Sequence, residues 1–187
     1  MRTVLSIDGG GIRGIIPALV LDYLEQASNK PISELFDLSV GTSSGGIIAL
    51  GIAQADPQGK PKYTAHDLAE FFENSGRKIF QKTVWRNIRS AGGVLDERYS
   101  ARPLEAALRK YYSDARLGDT LGSTMVTTYD IEGRRTLFLK SWHPDHEKVT
   151  VEQIIKTLDE NSSKALKFIN SYTLEKEIIC ESGTQNI

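Results

Sequence analysis

"DLSVGTSSGG", residues 37–46, decides how this chain is read. A short apolar run around Leu38–Val40 enters a turn of glycine and small hydroxyl residues. An apolar run, "IIALGIAQ", then leaves it. Strand, tight turn and helix, with the helix placed at about 44–54, is the repeating unit of sheets covered by helices. The turn itself, Gly41-Thr42-Ser43-Ser44-Gly45, matches G-x-S-x-G. A strand reversing into a helix forces the central residue into strained backbone space, and bulky neighbours two places away would collide. Ser43 is therefore the candidate nucleophile, exposed at a strand end near the positive end of the following helix.

The same unit occurs upstream. "TVLSI" (3–7) reads as a buried strand cut off by Asp8-Gly9-Gly10-Gly11. Beyond the glycines, Ile15, Leu19 and Tyr23 fall on one helical row, with Ile16, Val20 and Leu24 beside it. That spacing predicts an apolar helix face, and Pro17 is tolerated in the first turn. If both turns sit at the carboxyl ends of neighbouring parallel strands, they open onto one crevice. Backbone amides of the triglycine loop then face a carbonyl under attack by Ser43. Gly9, Gly11 and Gly14 also satisfy G-x-G-x-x-G, so a nucleotide-binding module is a rival reading. Against it, Asp8 sets a carboxylate where a pyrophosphate would lie, and Asp37 falls at the wrong end of the second strand to hold a ribose. A glycine turn needed only for tight packing is the plain alternative.

Further along, a short helix is expected over 32–36, and 55–61 is a loop. Thr64 with Asp67, and Thr150 with Gln153, have the spacing of helix starts. Residues 81–98 are irregular in pattern, and another helix is expected near Ser100. "TMVTTYD" and "RTLFLKSW", separated by "IEGR", read as a hairpin. The 187 residues are one domain's worth, and 23 basic residues nearly balance 24 acidic ones, so no global field points to nucleic acid. The single cysteine, Cys180, cannot form an internal disulfide, which fits a cytoplasmic protein. No secretory leader or membrane-spanning run is read. "RKIFQKTVWRNIRS" (77–90) carries five basic residues interleaved with apolar ones, the composition of a peripheral contact with anionic lipid.

"DGGGIRG" followed about thirty residues later by "GTSSGG" resembles the patatin-like phospholipases, serine lipid acyl hydrolases. The likeness extends through "GRKIF", "LDERYS" and the "YDIEGRRTLFLKSW" hairpin, so it covers about residues 1–149 and leaves 150–187 as a divergent tail. It implies a three-layer α/β/α fold with a mainly parallel central sheet, incomplete at its C-terminal end. It also implies Ser43 as nucleophile within the Gly41–Gly45 elbow, and an oxyanion hole from Gly9, Gly10 and Gly11 with Arg13 beside it. The substrate would be a lipid ester, with no metal or other cofactor, and the base would be an aspartate instead of a histidine. That aspartate belongs to a late Asp-Gly pair, and Asp8-Gly9 is the only such pair in the chain. A substitute base from His143, Asp145 and His146, a partner that supplies the acid, or a catalytically impaired lipid-binding or regulatory remnant are the open alternatives. Oligomeric state is not readable from the sequence.

Overall fold

The computed structural model describes residues 2–74, 111, 112, 115–130, 134–151, 153 and 154. The expectations for 77–90, 81–98, the helix near Ser100 and the tail beyond 154 lie outside these residues. Four strands form one sheet in the order β1 (Val4–Ile7), β2 (Leu38–Thr42), β3 (Ser123–Asp130), β4 (Arg135–Lys140). β1, β2 and β3 are parallel, with Ile7 opposite Gly41 and Thr42 opposite Thr127. β4 returns antiparallel to β3, Asp130 facing Arg135 and Met125 facing Lys140, as the hairpin pattern predicts.

Between β1 and β2 run a 3-10 turn (Gly11–Gly14), α1 (Ile15–Ser28) and the single turn α2 (Ile32–Leu35). α3 (Ser44–Ile52) starts directly after β2 and is shorter than the expected 44–54. Every residue of α3 is buried, so it is apolar all round as a central helix must be. One side packs on the sheet. The other meets the helical residues 65–74 and Tyr112: a methyl group on Gly51 would lie 2.6 Å from Leu68 Cδ2. The buried Tyr112 hydroxyl donates to the Ile47 carbonyl at 2.7 Å, and burial raises its pKa. The core is completed by Ile48, Leu50, Phe71, Phe72, Leu117, Val126, Leu139 and Ile154.

Both helix starts marked in the sequence are reciprocal caps. Asp67 Oδ2 accepts from the Thr64 amide at 2.8 Å while the Asp67 amide donates to Thr64 Oγ1 at 3.1 Å. Thr150 and Gln153 exchange the same pair of bonds. Glu25 fastens three elements at once, accepting the Ile32 amide at 3.0 Å and the Ala65 amide at 2.7 Å.

The face of α1 departs from its sequence reading. Ile16, Leu19, Val20 and Tyr23 are between 52% and 69% exposed, and the buried row is Ala18 and Leu21. α1 is apolar on more than one side, so its pattern names several candidate faces, and the small row approaches the core. Ile15 and Leu24, from the expected face, are half-buried against it.

His146 is 1% exposed, with Nδ1 accepting the Lys140 amide at 3.2 Å. Burial, with His143 adding to it, pushes its pKa from 6.5 down to about 4; Asp145 opposes this and Lys140 reinforces it. The folded state therefore holds a neutral imidazole that the unfolded chain protonates below about 6.5. Its contribution to stability is complete above that pH and is lost as pH falls toward 4. Denaturant titrations between pH 7 and 4 should show wild-type stability falling more steeply than that of His146→Gln, which keeps an acceptor for Lys140 and does not titrate.

Candidate active site

Ser43 lies between β2 and α3 with φ 52° and ψ −125°. A non-glycine residue in this region costs about 1–3 kcal/mol and persists only where its surroundings over-determine it. Here the surroundings are three backbones in contact. A methyl on Gly41 would sit 2.2 Å from the Gly45 carbonyl oxygen, and one on Gly45 would sit 2.1 Å from the Ile7 carbonyl oxygen. A methyl on Gly9 would lie 2.9 Å from both Ser43 Cβ and Thr42 O. The two glycine turns thus meet at the carboxyl ends of β1 and β2, and Ser43, Gly9, Gly10, Gly41 and Gly45 form one constellation.

Peptide dipoles contribute to the electrostatics at this end, beside the exposed side chains of Asp8 and Arg13. Ser43 precedes the first turn of α3, whose leading amides have no carbonyl within the helix. In the glycine loop, Gly10 donates its amide to Ser44 Oγ at 3.0 Å, and its carbonyl accepts from the Arg13 amide at 3.1 Å. Gly11 then takes φ 57°, turning the chain into the 3-10 turn. Arg13 is exposed and lies with Asp8, Gly9 and Gly10 at one end of a cavity of about 560 Å³ between β1 and α1. Leu5, Ile7, Ile16, Val20 and Leu24 provide its apolar wall. Across from the elbow, the Thr42 and Thr127 hydroxyls are hydrogen-bonded to each other, joining β2 to β3 one residue before Ser43.

The other polar candidates lie elsewhere. Because β4 runs antiparallel, the chain leaving it passes Ser141, bonded to Thr124, and reaches the amino end of the parallel strands. His143, Asp145 and His146 therefore sit at the end opposite Ser43, which removes them as its base. Asp37 accepts the Thr3 amide at 2.6 Å and so ties the starts of β1 and β2; that bond lowers its pKa. It is a structural clasp away from the glycine loop, which leaves the nucleotide reading without its acid. His66 is exposed, 3.2 Å from Asp22, which raises its pKa. Among the described residues, no carboxylate or imidazole is hydrogen-bonded to Ser43, and no cluster of His, Cys, Asp or Glu is placed to hold a metal ion. No helix among them is long and apolar enough to cross a membrane. Ser44 and Thr127 are the polar residues beside the elbow that sequence reasoning missed. Small hydroxyl residues in a turn look alike until the bonds they make are known.

A mostly parallel α/β sheet with a strained serine at a strand–helix elbow, touched by a neighbouring glycine loop, defines the general class. Comparison of sequences makes it specific. The profile of the family described as "Patatin-like phospholipase" matches residues 5–172, and the chain belongs to that family. Among curated proteins, it is 35% identical over 150 residues to "Patatin-like protein 2" of Oryza sativa subsp. indica, covering 75% of this chain and 37% of that relative. It is 32% identical over 149 residues to "Patatin-T5" of Solanum tuberosum, covering 75% and 36%. The match thus spans little more than a third of these relatives' length. The family match runs past residue 149, where the motif resemblance stops.

The contact between the turns sets a measurable cost. Gly45→Ala drives a methyl into the Ile7 backbone, which cannot yield as a side chain would. It should cost about 3 kcal/mol or more in urea unfolding. Gly59→Ala, at φ 76° with nothing within 4 Å, adds conformational strain alone and should cost about 1–2 kcal/mol.

Proposed function

We propose that this chain carries the serine half of a lipid acyl hydrolase, cleaving acyl ester bonds of phospholipids or related lipids through an acyl-enzyme on Ser43. The observation that carries the reading is the backbone of Ser43, held at φ 52° with the Gly9 loop in contact with it. Membership of a family described as phospholipases supplies the substrate class. The apolar cavity beside the glycine loop suits the aliphatic part of such a substrate.

In the proposed reaction, Ser43 Oγ attacks the ester carbonyl carbon as a general base takes its proton. The carbonyl oxygen becomes an oxyanion, stabilised by the glycine-loop amides and by the amide that follows the nucleophile. With the Gly10 amide already donating to Ser44, the Gly11 amide is the loop donor we assign to that oxyanion. Collapse breaks the bond to the alcohol, which leaves with the proton from the base. Water then attacks the acyl-enzyme, releasing the fatty acid and restoring Ser43. A free serine hydroxyl is a weak nucleophile, so the rate depends on that base. Since the described residues bring none to Ser43, a lipid-binding remnant with little turnover is the second reading.

A fluorophosphonate probe separates the two. Labelling at Ser43, abolished by Ser43→Ala, is the expected result for an activated nucleophile. A folded chain left unlabelled favours the remnant. We also assign a peripheral lipid contact to residues 77–90, which lie outside the described residues, on their basic and apolar composition. Replacing Lys82, Arg86 and Arg89 by glutamate should lower binding to anionic phosphatidylserine vesicles at least tenfold. Unchanged sedimentation with those vesicles would remove the assignment.

A further inference from the structure

From the bond between Ser44 and the glycine loop, we infer that Ser44 is a positioning residue whose hydroxyl latches the oxyanion loop to the nucleophile elbow. The inference rests on the reading of Ser43 as nucleophile and of the loop amides as its oxyanion donors. Ser44 is 1% exposed, and a hydroxyl so buried needs a hydrogen-bond partner. Its Oγ accepts the Gly10 amide at 3.0 Å, across 34 residues of sequence. Its Cβ would be 3.2 Å from a methyl placed on Gly14, so the same side chain abuts both ends of the Gly10–Gly14 turn.

The position of this side chain matters as much as its chemistry. Ser44 is the residue after the nucleophile and the first of α3, a helix buried along its whole length. It cannot shift without moving Ser43. The loop, in contrast, is exposed from Asp8 to Gly10 and contains three glycines in succession, which hold little conformational preference of their own. A single bond from a fixed point to Gly10 restricts where the following peptide can point. That peptide carries the Gly11 amide. Misplacing a catalytic group by about 1 Å can cost on the order of a hundredfold in rate.

The Ser44 side chain touches neither substrate nor oxyanion in this scheme; its backbone amide faces the oxyanion, and its hydroxyl acts through Gly10. Ser44→Ala removes the acceptor, whereas Ser44→Thr keeps it on the same Cβ. Amide hydrogen exchange on the full chain, followed by NMR, reads the latch directly. In Ser44→Ala the Gly10 amide should exchange about tenfold faster, while the amides of β1 and β2 keep their wild-type protection. Ser44→Thr should restore slow exchange at Gly10. Fluorophosphonate labelling of Ser43 should slow about ten- to hundredfold in Ser44→Ala and recover in Ser44→Thr. Unchanged exchange at Gly10 in Ser44→Ala overturns the latch. So does a loss of protection at Gly10 no greater than that of the sheet amides, which would make Ser44 a packing residue only. So does a slowing of labelling that Ser44→Thr shares. If wild-type Ser43 is not labelled at all, it is the nucleophile reading that fails, and the exchange rates alone decide the latch.

Discussion

Two backbone bends pressed against each other organise the rest of this molecule. Opposite pairing of Ile7 and Gly41 brings the ends of β1 and β2 level, and the next residues of both strands must turn within the same small space. Side chains at 9, 41 or 45 would meet backbone atoms at 2.9 Å or less, so glycine is required there by volume, whatever the reaction. The strain at Ser43 follows from the same crowding. It is offset by what the tight turn permits, namely α3 starting at once and burying Ile47, Ile48, Leu50 and Ile52 in the core. At about 1.5–3 kcal/mol for each such side chain, that burial exceeds the cost of one left-handed residue several-fold.

Strand direction divides the polar groups between two ends. At the amino ends, Asp37 clasps Thr3 and the buried His146 accepts from Lys140, so those groups serve to hold strands and turns. At the carboxyl ends, Asp8 and Arg13 are exposed beside the glycine loop, and the groups gathered where α3 begins are backbone amides and short hydroxyl side chains. Such groups stabilise developing negative charge without titrating, and they need no reorganisation when it appears. The separation explains why "HPDH", attractive as a string of proton carriers, has no access to Ser43: the hairpin reverses the chain and carries it to the far end.

Much of this was legible in the sequence where physics acts locally. The glycine turns, the two capping pairs and the β3–β4 hairpin depend on residues a few positions apart, and each appears as read. The parallel pairing of β1 with β2 was legible as well, because two strand–turn–helix units in succession have few ways to share a sheet. The buried face of α1 was not. Ile16, Leu19 and Val20 are as apolar as any core residue, and only the tertiary fold selects the small row at Ala18 and Leu21 instead. Ser44 was illegible for another reason: its partner, Gly10, is 34 positions away, and a serine in a glycine turn announces no such bond.

The elbow and the loop that faces it are both contained between Ile7 and Gly46, inside one β-α-β unit and the start of its second helix. Their mutual geometry is therefore set by sheet register and by α3 burial, and owes nothing to the residue that would accept the proton of Ser43. On the proposed reading, oxyanion stabilisation and nucleophile activation are thus physically separable. Donors aimed at a carbonyl oxygen lower the barrier to attack by any nucleophile, and in serine hydrolases stripped of their triad a residual acceleration of about 10³–10⁴ over water survives on that basis. In the reaction proposed above, the elbow and loop bind and polarise the ester carbonyl, and the acceptor of the Ser43 proton sets how fast the ester is cleaved.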